Sequence, residues 1–79
     1  MYIKTKYIKT RNNQIIVFSG VIEHSVLKHL DPISAGFISI GIGEDKNPSC
    51  TCYGESISLG LQSDPSDTEL AMRQILGNI

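Results

Sequence analysis

The chain has no tryptophan, only two cysteines among its 79 residues, and no long hydrophobic run. Cys50 and Cys52 are separated by one residue, so they are poorly placed to bond each other in a strand and too few to staple the fold. We therefore expect free thiols.

The apolar stretches are far shorter than a membrane span, and the N-terminus lacks the apolar block of a signal peptide. We expect no membrane association and a cytoplasmic location.

The charge is nearly balanced, with seven basic and eight acidic residues and a net charge of −1. Such a chain has no long-range field that would draw it onto phosphate backbones, so nucleic acid is not an expected partner. Four of the basic residues (Lys4, Lys6, Lys9 and Arg11) crowd the first eleven positions. They indicate either an edge strand whose lysines oppose aggregation or a basic docking patch.

The length fits one domain, residues 1–79, of which residues 1–6 are expected to fray. A core of this size supplies only about 3–5 kcal/mol of net stability, and natural examples often add a disulfide, a metal or a second subunit. Residues 15–18 read Ile-Ile-Val-Phe, which is apolar on both faces of a strand. Length and this two-sided strand predict a homodimer.

The first ten residues contain a short tandem repeat. The residues Tyr-Ile-Lys-Thr at positions 2–5 recur at positions 7–10. An odd offset inverts the faces of an alternating strand, so Tyr2 and Tyr7 should point to opposite sides. We interpret the repeat as an extended segment.

Two central segments alternate between large aliphatic and small residues. Ile38, Ile40 and Ile42 alternate with Ser39, Gly41 and Gly43, and residues 56–61 (Ser-Ile-Ser-Leu-Gly-Leu) repeat the pattern. Residues 44–48 between them supply turn chemistry. The pattern predicts an antiparallel hairpin over residues 36–61, bulged at Gly54, with its aliphatic side chains facing the core.

Two helices complete the expected fold. Ser25 can cap a short helix or turn near residues 25–31, which Asp31-Pro32 ends. A C-terminal helix has its N-cap at Asp64 or Ser66 and ends at Gly77, and its apolar stripe comprises Ala71, Met72, Ile75, Leu76 and Ile79. The predicted class is α+β: a small antiparallel sheet of about four strands with the C-terminal helix packed on one face.

The small-residue face of the predicted hairpin is the candidate site. It would gather Ser39, Ser56 and Ser58 with the glycines, and Cys50 and Cys52 would share that side of a regular strand. Several glycines on one face indicate close approach of a helix, a second subunit or a ligand. The candidate ligand-binding residues are Ser39, Cys50, Cys52, Tyr53, Ser56, Ser58 and His24.

No catalytic residue, metal site or cofactor is predicted. A structural zinc site needs four ligands, and Cys50 and Cys52 have no second pair. His24 and His29 are expected at helix ends as surface or capping groups.

The leading hypothesis is a non-enzymatic interaction or regulatory module acting as a homo-oligomer. The alternatives are a small-ligand or metal-binding module using the Ser/Gly/Cys face, and a small hydrolase-like or thiol enzyme, which would need a histidine beside a cysteine, serine or carboxylate.

Overall fold

A computed structural model describes residues 2–77, and Ile79 of the predicted helix stripe lies outside them. Strands are the main secondary structure of the described chain. The strands are β1 (Tyr2–Thr10), β2 (Ile15–Phe18), β3 (Pro32–Ile42), β4 (Pro48–Tyr53), β5 (Glu55–Ser56) and β6 (Leu61–Gln62), and the helices are a 3-10 helix (His24–Leu30) and α1 (Asp67–Leu76).

The principal sheet has four antiparallel strands in the order β2-β1-β3-β4, and β5 and β6 form a separate two-stranded ribbon. Asn13 takes a positive φ of 64° in the turn between β1 and β2, a conformation that asparagine tolerates better than most residues. With α1 and the 3-10 helix, this sheet confirms the predicted α+β class.

Helix α1 covers one face of the sheet, which we call the helix face. Its Ala71 is fully buried and packs in one core cluster with Tyr7, Ile15, Ile38 and Cys50. Side chains of α1 also reach both outer strands. The backbone N–H of Cys52 in β4 donates to Thr68 Oγ1 at 2.9 Å, and the N–H of Ile15 in β2 donates to Gln74 Oε1 at 2.8 Å. The helix therefore crosses the sheet from one edge to the other.

The 3-10 helix lies against the opposite face, which we call the second face. Its first residue, His24, is only 4% exposed and lies edge-on to the rings of Phe18 and Phe37, with centroid distances of 5.4 and 5.9 Å. Ile8 and Ala35 are paired across β1 and β3 on this face and are fully buried. The sheet thus has apolar contacts on both sides.

The predicted hairpin over residues 36–61 is wrong in its second strand. The partner of β3 is β4, with Ile38 opposite Cys52 and Ile40 opposite Cys50. The segment predicted as the second strand contains the turn between β5 and β6, and Ile57 is 89% exposed there. Alternation of large and small residues over a few positions does not distinguish a strand from a short ribbon with a four-residue turn. Which face is buried depends on the segment that packs against it in the tertiary structure.

The remaining local predictions agree with the structure in part. Tyr2 is 54% exposed and Tyr7 fully buried, as the odd repeat offset requires. Gly77 ends α1 in the left-handed region, with φ of 59°. The 3-10 helix starts at His24 without a side-chain cap from Ser25, and it ends at Asp31 before Pro32. Helix α1 starts at Asp67 with Ser66 as its N-cap, the second of the two predicted caps, although the Ser66 side chain makes no capping hydrogen bond.

Candidate functional site

The predicted Ser/Gly/Cys face does not exist as one surface. Directly opposed residues of antiparallel strands share a face, so Cys50 and Cys52 lie with Ile40 and Ile38 on the helix face. Ser39 pairs with Thr51 on the second face. The prediction assigned faces by alternation along each segment and assumed how the two segments pair. The observed register of β4 with β3 places the two cysteines on the opposite face from the one predicted.

Burial governs the chemistry of both cysteines. It raises the pKa of the Cys50 thiol, and it raises that of Cys52 to about 12, with added repulsion from Cys50 and Asp67. Both are free thiols, as predicted. A nucleophilic or metal-binding cysteine needs a lowered pKa, so this environment disfavours thiolate chemistry.

Four of the seven candidate residues line one cleft of about 460 Å³: His24, Tyr53, Ser56 and Ser58. The rings of Phe37 and Tyr53 form an apolar wall, with centroids 6.0 Å apart and planes tilted by 31°. Lys6, Glu23 and Glu55 also line the cleft. Ser39, Cys50 and Cys52 are not part of it.

The two serines order the cleft's β5–β6 turn. Ser56 is 2% exposed, and its Oγ accepts a hydrogen bond from the N–H of Leu59 at 3.3 Å. The hydroxyls of Ser56 and Ser58 lie 3.4 Å apart. Ser56 is therefore a turn-stabilising residue, and Ser58 is the more accessible hydroxyl of the two.

His24 is buried, which corrects its predicted place as a surface group. Its Nε2 lies 2.9 Å from the carbonyl oxygen of Gly36. A carbonyl only accepts, so Nε2 carries the proton and Nδ1 is an acceptor in the neutral ring. Among residues 2–77, His24 and His29 have only carbonyl oxygens as hydrogen-bond partners.

Comparisons find no family model that matches this chain and no similar protein among curated proteins or solved structures. Within the described part of the chain, no group of three or more histidine, cysteine, aspartate or glutamate side chains could hold a metal ion. No helix of residues 2–77 is long and apolar enough to cross a membrane.

The most heavily bonded side chain is Asp67, which is fully buried at the start of α1. Its Oδ2 accepts hydrogen bonds from the Tyr7 hydroxyl at 2.5 Å, the Ser34 hydroxyl at 2.7 Å and the N–H of Asp64 at 3.0 Å. Oδ1 forms an ion pair with Lys9 Nζ at 2.8 Å and has no other partner within residues 2–77. We call these five residues the Asp67 cluster; it fixes α1 to β1 and β3.

Sequence reasoning missed the Asp67 cluster, because it treated Lys9 as one of several solvated lysines and Asp67 as a helix-dipole carboxylate. The signal was available in the repeat. Alternation along β1 places Lys9 on the same face as the buried Tyr7, whereas Lys4 and Lys6 lie on the opposite face. A lysine on a buried face needs an acidic partner. Asp67, Lys9, Tyr7 and Ser34 are buried, so the cluster has a structural role.

Acid should weaken the fold through Asp67. Desolvation would raise the pKa of this carboxyl, but bonds from Lys9, Tyr7 and Ser34 outweigh it, so the folded-state pKa lies below the usual range. A depressed pKa contributes stability that is complete above the unfolded value of about 3.9 and is lost as pH falls through the folded value. Urea unfolding at stepwise lower pH should show this loss.

The matched control for the acid experiment is Asp67→Asn, which cannot titrate. Its unfolding free energy should fall less steeply with acid than that of the wild type. Asp31, Asp45 and Asp64 also have lowered pKa values, from Arg11, Asn47 and Ser66 respectively, and they supply the slope that remains. Identical pH profiles for the two proteins would contradict the role given to Asp67.

A second feature is the free half of β1. Strand β2 pairs only with Lys6–Lys9 of β1, so residues 2–5 have β3 on one side and no strand of the described chain on the other. Next to this edge, Ile3 is 65% and Ile42 54% exposed. They flank Ile40 on the helix face, and Met72 and Leu76 of α1 pack against the same core cluster as Ile40. We call residues 2–5 the free edge and these five apolar residues the end patch.

Proposed function

We propose that the chain is a non-enzymatic interaction module that acts as a homodimer, assembled through the free edge of β1. The observation that carries the proposal is that Tyr2–Thr5 is paired on one side only, beside exposed Ile3 and Ile42. An unpaired strand edge presents a row of N–H and C=O groups that another strand can satisfy. The outer strands β2 and β4 are less open, because Gln74 and Thr68 each occupy a backbone N–H there.

Self-pairing of the free edge has a favoured register. A two-fold axis through Ile3 places Ile3 opposite Ile3 of the second copy and Tyr2 opposite Lys4 of the second copy. This joins the two end patches on one face and sets each ammonium against an aromatic ring. An axis through Lys4 would oppose two lysines, which is unfavourable. Because β2 pairs with β1 only from Lys6 onwards, residues 2–4 of the two copies can pair without displacing β2.

The homodimer is tested by sedimentation of the wild type and of Ile3→Asp. The wild type should sediment as a dimer at micromolar concentration, and Ile3→Asp as a monomer, because the substitution sets two carboxylates against each other in the apolar centre of the junction. The control is Val21→Asp, since Val21 is 91% exposed and lies outside the free edge and the end patch. Val21→Asp should remain dimeric with unchanged circular dichroism.

Cross-linking tests the register itself. In antiparallel sheets, opposed residues have Cα atoms about 4.5–5.5 Å apart, within disulfide range. Ile3→Cys should therefore form a disulfide-linked dimer under mild oxidation, and Val21→Cys should not. A monomeric wild type, or equal cross-linking of the two variants, would contradict the proposed assembly.

A further inference from the structure

The cleft beside His24 is a second surface, and two of its charged residues have no evident structural role. Glu23 and Glu55 are exposed and line it, and their side-chain carboxylates have no hydrogen bond or ion pair among residues 2–77. Lys6 also lines it, but its ammonium donates to the carbonyl oxygen of Ile22 at 2.8 Å. The formal charge of the lining, from two carboxylates and one ammonium, is −1. The cleft therefore favours a cation.

The uncharged lining matches the same ligand class. Phe37 and Tyr53 present tilted ring surfaces with centroids 6.0 Å apart, and aromatic faces attract ammonium and guanidinium groups. His24 adds a buried ring whose Nδ1 is an acceptor in the neutral form, since Nε2 is engaged by Gly36. Carboxylates and aromatic faces both interact favourably with a donor-rich cation, and neither favours an anion.

The backbone of the cleft is built around its aromatic wall. Gly54 has a φ of 79°, and a Cβ there would lie 3.0 Å from Cδ2 of Phe37. A side chain at this position would therefore press on the ring and strain the backbone. Because Ser56 also orders the following turn, the cleft is held in place by β3, β4 and the β5–β6 ribbon. A largely preformed site needs little ordering to bind a ligand.

We propose that this cleft binds an organic cation with an apolar stem, namely an alkyl-ammonium or alkyl-guanidinium group. Such a group is carried both by a free amine and by a lysine or arginine side chain of a peptide. The stem contacts Phe37 and Tyr53, and the cationic head is neutralised by Glu23 and Glu55. This inference does not depend on the homodimer, because none of the end-patch residues lines the cleft.

The experiment is an NMR titration of the full ¹⁵N-labelled chain with three probes. They are agmatine as the free amine, acetyl-arginine amide as the peptide side chain, and acetyl-citrulline amide as the neutral isostere. Both cations should shift the signals of Phe37, Tyr53 and Ser58 saturably, and the citrulline compound should not. Equal affinity for the two cations supports a free amine as the ligand, and tighter binding of the arginine amide supports a peptide.

Charge-removing variants complete the test. The double variant Glu23→Gln/Glu55→Gln should weaken binding of both cations at least about tenfold, the usual effect of losing one charge-assisted hydrogen bond. Glu44→Gln removes an exposed carboxylate of the β3–β4 turn and should leave affinity unchanged. Equal binding of arginine and citrulline amides, absence of saturable shifts, or full affinity in the double variant would each overturn the proposal.

Discussion

Replacement of Asp67 by alanine should remove most of the protein's stability at room temperature. The substitution removes the acceptor for Tyr7 and Ser34 and leaves the buried ammonium of Lys9 without its counterion. Breaking one side of a buried ion pair typically costs about 3–5 kcal/mol. The whole net stability of a domain this small is of the same order, about 3–5 kcal/mol. Circular dichroism and urea unfolding measure the effect.

Two further variants separate the ion pair from general damage to the helix. Glu69→Ala also removes a carboxylate from the first turn of α1, but Glu69 is exposed, so its effect should stay within about 0.5 kcal/mol. Asp67→Asn keeps an acceptor for Tyr7 and Ser34, and it should lose less than Asp67→Ala.

Lys9→Met added to Asp67→Asn should recover part of the loss, because it removes the ammonium that the first substitution left unpaired. A double variant less stable than Asp67→Asn alone would show that the Lys9 ammonium stabilises the fold even without the carboxylate of Asp67. An Asp67→Ala protein as stable as Glu69→Ala would contradict the structural role of the whole cluster.

Gly36→Ala should produce the second large loss of stability. A Cβ at this position would lie 2.4 Å from the backbone carbonyl oxygen of Tyr53 and 3.2 Å from the carbonyl carbon of Gly54. The chain crosses over β3 there as it passes from β4 to β5, so a methyl group must displace backbone. Overpacking of this kind costs about 1–3 kcal/mol, and sometimes more. For a domain of this size, each kcal/mol lowers Tm by roughly 4–8 °C.

Gly20→Ala is the matched control for the crossing. No atom lies within 4 Å of a Cβ built at Gly20, so alanine there should be neutral or raise stability by up to about 1 kcal/mol. Thermal unfolding of both variants gives the comparison. Equal Tm values would mean that the crossing over Gly36 relaxes freely, against the packing described here.

The local elements that the sequence predicted share one property: their signal lies in neighbouring residues. The odd offset of the repeat predicted that Tyr2 and Tyr7 lie on opposite faces of β1. Asp31 before Pro32 predicted the end of the short helix, and Gly77 predicted the end of α1. Each follows from backbone sterics or from strand alternation, which act over a few residues. Of the candidate ligand-binding residues, His24, Tyr53, Ser56 and Ser58 meet in one cleft, whereas Ser39, Cys50 and Cys52 do not line it.

The failures concern partners that are distant in the chain. Which segment pairs with β3 decided that Cys50 and Cys52 point towards α1, and the alternation of residues 56–61 predicted the wrong segment. The charge of Lys9 was assigned to solvent because its partner, Asp67, lies far along the sequence. Glu23 and Glu55, which give the cleft its charge, belong to different elements and have no common motif.

The sequence by itself determined a small α+β chain: its composition requires one modest core, and its alternation and helix-ending residues set strands and helices through local sterics. Only the tertiary structure decided the register of β3 with β4, the burial of Asp67 with Lys9, the free edge of β1 and the acidic aromatic cleft. The physical reason is that burial and charge pairing depend on which distant side chain completes a contact, and local propensity contains no information about that choice.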